Sequence, residues 1–367
     1  MKLAPAEPTI EEIAVSAFVV PTDGPESDGT FAWDSTTLVL AQAQAGGQTG
    51  LGYTYGDRSV ATLIRQLLSK SVIGCGAMDI GEAWQRMVMA VRNAGRPGVA
   101  SMAIAAVDAA LWDLKARLLG LPLALLLGRA RDRVEIYGSG GFTSYSNERL
   151  ADQLGCWAAE GVRQVKMKVG RDPSSDVERV RVARQAIGES VGLYVDANGA
   201  YSRKQALDLA ERFAELGVSW FEEPVSSDDL AGLRLIRDRS PAGMDIAAGE
   251  YGYDLPYFRR MLEAGAVDVL QVDASRCAGI TGFLKAAALC EAHGLSVSAH
   301  TAPSLHLHAC CAAGSVRPLE YFHDHVRVER LLFEGAAQPD GGFLTPDLNR
   351  PGLGLELKVR DAQPYAV

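Results

Sequence analysis

Seven ionisable residues recur along the second half of this chain. Lys168, Asp196, Glu222, Glu250, Asp273, His300 and Glu320 stand 20 to 28 residues apart. Asp196, Glu222 and Glu250 are consecutive members. Three carboxylates brought together repel and raise one another's pKa. A hard divalent cation relieves that, and an all-oxygen set suits magnesium or manganese and disfavours zinc. A hydrogen-bonded polar cluster without metal is the plainer alternative. Asn198 shares a face with Asp196 and is expected either to bind substrate or to cap the next helix. In "VRQVKMKVG" (162–170), Lys166 and Lys168 are two apart and share a strand face. Two ammonium groups side by side lower the pKa of at least one, which gives a base near neutral pH. Asp273 and His300 form a natural pair, because a carboxylate on one imidazole nitrogen fixes the tautomer and raises the basicity of the other. Glu320 is expected to hydrogen-bond a substrate oxygen or to join an ion pair.

These residues need a scaffold that brings strand ends together. From about residue 133, "VEIYGSG", "VRQVKMKVG", "VGLYVDANG", "VSWFEEP", "DIAAGE", "VDVLQVDAS", "LSVSAHT" and "PLEYF" read as short strands separated by amphipathic helices. Eight such units argue for a parallel α/β barrel, whose strand C-termini converge on one mouth. An open doubly wound sheet is the alternative, and the missing GxGxxG weakens a dinucleotide role. Residues 1–130 read as an α+β domain of strands followed by helices, and 131–339 as the barrel. The tail, 340–367, is expected to return to the first domain. "PTDGPESDGTFAW" and "GLGYTYGDR" read as exposed, mobile loops from their Gly, Pro and Asp content.

The 367 residues are 48% hydrophobic and 22% charged with a net charge of −9, and carry no long basic run. Nucleic acid is therefore an unexpected partner. No signal peptide or membrane span is visible, and six scattered cysteines without a CxxC pair suit reduced thiols in a cytoplasm. A homo-oligomer is expected.

Taken together, "KMK", "VDAN", "WFEEP", "AAGE", "QVDASRCAGITG", "SAH" and "LEY" resemble the enolase superfamily, and within it the mandelate racemase subgroup. "AIAAVDAALWDLKARLLGLPLALLLG" (103–128) and "PGLGLEL" extend the resemblance over nearly the whole chain. It implies a modified (β/α)7β barrel under an α+β capping domain, with Mg2+ on Asp196, Glu222 and Glu250. It implies Lys168 as the base on one face of the substrate and His300, paired with Asp273, on the other. Lys166 would neutralise the substrate carboxylate and Glu320 would donate a hydrogen bond to it. The loops near Asp23–Thr30 and Tyr53–Asp57 would close the site, with Trp33 and Tyr53 touching substrate. Arg276 is placed to reach a second carboxylate or a hydroxyl, and "HDH" (323–325) adds polar groups; solvated loop is the alternative for both. The expected reaction is proton abstraction next to a carboxylate, leading to dehydration of an acid sugar to a 2-keto-3-deoxy acid. The alternatives are racemisation or epimerisation of a 2-hydroxy acid, and a non-catalytic metal-binding homologue. A cycloisomerase is less expected, since that relative lacks the Asp–His pair.

Overall fold

The computed structural model describes residues 7–367. An antiparallel sheet comes first: β1 (Glu12–Ser27), β2 (Ala32–Ala45) and β3 (Gln48–Tyr55) in the order β1-β2-β3. Gly46 and Gly47, both at positive φ, make the two-residue turn between β2 and β3. The helix Val99–Leu118 lies across β3. Its contact needs glycine: a Cβ on Gly50 would overlap the backbone of Leu114, and one on Gly52 the backbone of Ala110. The glycines that suggest a loop in "GLGYTYGDR" are therefore strand residues that let a helix approach closely. The other expected loop is corrected too. β1 continues through Pro21–Ser27, with a register irregularity between Pro21 and Glu26, and Glu26, Ser27 and Asp28 are buried.

The barrel strands are β4 (Val134–Gly140), β5 (Gln164–Lys168), β6 (Gly192–Asp196), β7 (Val218–Glu222), β8 (Asp245–Ala248), β9 (Val269–Val272), β10 (Ser296–Ala299) and β11 (Leu319–Phe322). They pair in parallel in the order β10-β9-β8-β7-β6-β5-β4-β11. A bridge between Val297 and Val316, just before β11, closes the ring. Helices follow each strand, from Asn147–Ala159 to His323–Leu332.

Inside the barrel, Tyr137, Tyr194, Trp220, Ala247 and Val269 form a buried layer. Tyr194 stacks on Trp220 at 5.1 Å. Residues two positions further along these strands share the inward face, so Asp196 and Glu222 stand directly above Tyr194 and Trp220. The Trp220 indole donates to Glu222 at 3.0 Å, and Gln271 reaches both Tyr137 (2.9 Å) and Glu222 (3.1 Å). An aromatic floor thus fixes the polar layer above it.

The tail touches both parts. Phe343–Leu344 pairs with β4, Leu123 N–H donates to Gly352 O at 2.8 Å, and Val367 N–H donates to Ala17 O of β1 at 3.1 Å. No helix among the described residues is long and apolar enough to cross a membrane.

Candidate active site

Among the described residues, five non-glycine residues have positive φ: Asn198, Glu223, Ala278, Thr301 and Ala302. All lie just beyond C-terminal ends of barrel strands, which concentrates backbone strain at one mouth. Asp196, Glu222 and Glu250 meet there, fully buried, with one oxygen of each within 4.8 Å of the others. Lys168 lies 2.5 Å from Asp196. Lys166 lies 2.6 Å from Glu222, 2.8 Å from Glu320 and 3.6 Å from Asp196.

Both lysines titrate above the usual lysine range. Burial is the largest single influence and would lower them, but the surrounding carboxylates together outweigh it, led by Asp196 at Lys168 and by Glu222 and Glu320 at Lys166. Mutual repulsion is the lesser effect, which corrects the expectation that proximity makes one lysine a base. Glu222 is pushed up to about 8 by burial and by Asp196, while Glu223, also buried, is raised further by burial and Glu250. At Glu250 burial is outweighed by His300, and the carboxyl falls well below its usual range.

The charge balance is a test of fit for a cation. Six carboxyl groups, Asp196, Glu222, Glu223, Glu250, Asp273 and Glu320, are buried at the mouth, against four basic side chains, Lys166, Lys168, Arg276 and His300. An excess of buried carboxylates and an all-oxygen triad fit a hard divalent ion on Asp196, Glu222 and Glu250.

Across the mouth, His300 Nδ1 is 2.8 Å from Asp273 Oδ2, and Asp273 Oδ1 accepts the Ser275 N–H at 2.7 Å. Burial would lower the imidazole pKa, but Glu250, 3.2 Å from Nε2, and then Glu320 and Asp273 raise it to about 9. His306 holds the two strand ends in register. Its Nε2 accepts the Ala274 N–H at 2.7 Å and its Nδ1 donates to Ala302 O at 3.0 Å.

Family comparison agrees with this layout. Residues 149–362 match the enolase C-terminal domain-like family, and residues 14–128 match the mandelate racemase / muconate lactonizing enzyme N-terminal domain. The chain belongs to the enolase superfamily, in its mandelate racemase subgroup. Within the superfamily it is 59% identical to a mandelate racemase/muconate lactonizing enzyme-like protein from Rubrobacter xylanophilus, whose structure superposes with a TM-score of 0.96 over 98% of this chain and 100% of that one. It is 35% identical to a 3,6-anhydro-alpha-L-galactonate cycloisomerase from Streptomyces coelicolor, over 95% of this chain and 97% of the relative. The L-talarate dehydratase from Polaromonas sp. JS666, solved with Mg and L-glucarate, is 31% identical with a TM-score of 0.88, covering 98% of each chain.

Under this superfamily's cap, a cavity of about 420 Å³ opens over the strand ends. Its wall includes Lys168, Asn198, Glu250, Arg276 and His300, with Trp33 from the cap. Asn198 Oδ1 is buried there without a partner. Arg276 is no solvated loop residue: it lies 3.2 Å from Glu250 and 3.5 Å from Asp273. Lys166 and Glu320 are one layer down, outside the wall. Glu320 accepts from Ser139 (2.6 Å) and Thr301 N–H (3.1 Å); burial opposes its ionisation, but Lys166 brings it down to about 2. In this arrangement Glu320 is the acceptor of both of these bonds.

Tyr53 is placed elsewhere. It is fully buried and its hydroxyl donates to Glu329 at 2.6 Å, between cap and barrel. Sequence reasoning missed Tyr251 and Thr301, which line the cavity; each directly follows a ladder residue, and that adjacency was the available signal. His325, one of the "HDH" residues, also lines it, stacked on Tyr55 at 3.4 Å.

Proposed function

We propose that this protein is a magnesium-dependent enzyme that takes the proton next to the carboxylate of an acid sugar and dehydrates the sugar to a 2-keto-3-deoxy acid. The observation that carries this reading is the meeting of Lys168 and the Asp273–His300 pair in one cavity, beside the three-carboxylate cluster. The relative solved with Mg and L-glucarate supports the ion and the substrate class. When bound, the ion supplies positive charge where a second negative charge develops on the substrate carboxylate.

The residues of the chain do the rest. Lys168 and His300 approach from well-separated strands, β5 and the end of β10, so a substrate between them presents a different face to each. Lys168 accepts the α-proton after its Nζ has given one proton to solvent and released Asp196. Lys166, from below, adds positive potential under the carboxylate. His300, with Asp273 on Nδ1, gives its Nε2 proton to the β-hydroxyl, which leaves as water. The resulting enol becomes the ketone. Six free cysteines, five of them buried, fit a reducing, cytoplasmic setting.

A cycloisomerase is the second reading, supported by the relative of that name. It begins with the same proton, and a ring oxygen then leaves without departing from the molecule. The deciding experiment incubates the protein with Mg2+ and an acid-sugar library in D2O. Deuterium next to the carboxylate supports α-proton chemistry; loss of one water marks a dehydratase, a mass changed only by deuterium a cycloisomerase or epimerase. No exchange with any acid would sink the proposal and leave a metal-binding homologue.

A further inference from the structure

We infer that the substrate is a monocarboxylic acid sugar, an aldonate rather than a dicarboxylic aldarate, with its uncharged polyol end against the cap. This class presupposes the α-proton chemistry proposed above and narrows its substrate.

The cavity wall has two chemically different parts, one from the barrel and one from the cap. At the barrel end stand its cationic side chains, Lys168, Arg276 and His300. Each is already held by barrel carboxylates: Lys168 by Asp196 at 2.5 Å, Arg276 by Glu250 at 3.2 Å, His300 by Asp273 at 2.8 Å. That end has the cations, and it is where a carboxylate undergoing α-proton chemistry must lie. Arg276 cannot also serve the far end, because it is anchored beside Glu250.

The cap end is built by the segment from Asp28 to Thr36. To the wall it brings hydroxyls (Thr30, Ser35, Thr36), the aromatic rings of Phe31 and Trp33, and one carboxylate, but no lysine or arginine. The carboxylate is Asp28, 8% exposed. Its Oδ1 accepts the N–H groups of Thr30 (2.6 Å) and Phe31 (2.7 Å) and the Thr30 hydroxyl (3.1 Å); Oδ2 takes part in none of these. Arg149 and Arg327 stay outside the wall, bound to Asp23 at 3.0 Å and Asp324 at 2.6 Å. His325 adds no charge. Its ring lies flat on Tyr55 and its Nδ1 takes the Ala302 N–H at 3.4 Å, which leaves Nε2–H as a neutral donor.

A sugar hydroxyl donates to Asp28 and accepts from His325. A second carboxylate in the same place meets Asp28, while every cation of the wall is already held by a barrel carboxylate, inside a cleft where charges are weakly screened. Burying an unpaired charge is the stronger discrimination available to such a site.

The test uses the full chain with Mg2+ in D2O and a panel of five- and six-carbon aldonates with aldarates of matched configuration. Aldonates should exceed matched aldarates by about 100-fold or more in kcat/KM. Asp28→Asn should shrink that ratio by about tenfold, since the amide keeps the turn and removes the repulsion. Ser35→Arg, which adds a cation at the cap end, should shrink it as well and serves if Asp28→Asn does not fold. Aldarates turned over as well as or better than aldonates, or a ratio unmoved by the substitution that folds, overturn the inference while leaving the α-proton chemistry intact. No exchange with either series overturns both.

Discussion

Asp273→Asn tests the dyad with almost no change of shape. Asp273 Oδ1 accepts the Ser275 N–H at 2.7 Å, and Oδ2 faces His300 Nδ1 at 2.8 Å. In the variant the Ser275 N–H still demands an oxygen, so the amide NH2 must turn toward His300. An NH2 donor requires Nδ1 to accept, which moves the neutral imidazole proton to Nε2. A nitrogen that already carries the proton cannot take one from substrate, and a neutral imidazole is a poor acid toward a leaving hydroxyl. The lost attraction sets the scale. A carboxylate 2.8 Å from an imidazolium contributes about 6 kcal/mol at an effective dielectric of about 20. The amide dipole and local relaxation offset part of that, leaving about 3 to 5 kcal/mol in the step that charges His300, or about 10² to 10⁴ in rate. The assay is stereospecific: deuterium incorporation from each face, followed with the release of product. Exchange through Lys168 should persist, while exchange through His300 and water loss fall by that factor at near-normal thermal stability. Water loss at the normal rate would refute the role of the pair. Loss of exchange from both faces with Mg2+ affinity unchanged would show that the two bases do not act independently.

Lys168→Met should abolish exchange from the other face. Because Lys168 neutralises Asp196 at 2.5 Å, Mg2+ affinity measured by calorimetry should hold or rise; a collapse would make the lysine structural. Glu329, buried between Tyr53 and Ser304, has its pKa pushed by burial from 4.5 up to about 7. Its folded value lies above its unfolded value, so the stability it confers is full below about pH 4.5 and is lost as pH rises through about 7, a fall of about 3 kcal/mol. Urea melts of Glu329→Gln should be flatter than wild type over that window, and parallel curves would exclude the assignment. Gly52→Ala places a methyl group against the backbone of Ala110 and should cost about 3 kcal/mol, read as a lower thermal midpoint; an unchanged midpoint would mean that the helix can move away freely.

The ladder of strand ends was legible because a barrel repeats. Strand, helix and loop together take a nearly constant length, so residues placed at one mouth recur at a nearly constant interval. The sequence motif holding each of β5 to β11 is a short apolar run followed by an ionisable residue, and that combination is local. The cap was harder, because its glycines have two incompatible meanings. Gly46 and Gly47 turn the chain, whereas Gly50 and Gly52 make room for the helix Val99–Leu118. Only the partner helix separates the two cases. Tyr53 was misplaced for the same reason. Its strand was read as a loop, and a loop tyrosine faces outward, but alternate residues of β3 face the helix and barrel.

The lysine pair shows where reading along one strand stops. Lys166 and Lys168 see each other in the sequence, so repulsion looks dominant. The parallel ladder sets Lys168 directly beside Asp196, and Asp196 beside Glu222. Closure of the ring then brings Glu320 to Lys166. These neighbours are dozens of residues away and outnumber the one like charge nearby. Both lysines are therefore charged as they stand, and their basicity depends on what else engages Asp196 and Glu222. A divalent ion held by those carboxylates would weaken their hold on Lys168, so that binding the ion would also favour the base. Titrating Mg2+ should then lower the Lys168 pKa, observable as a shift of its side-chain 15N resonance. A pKa that stays put as the ion saturates the protein would break that coupling and leave the lysine without a route to act as a base.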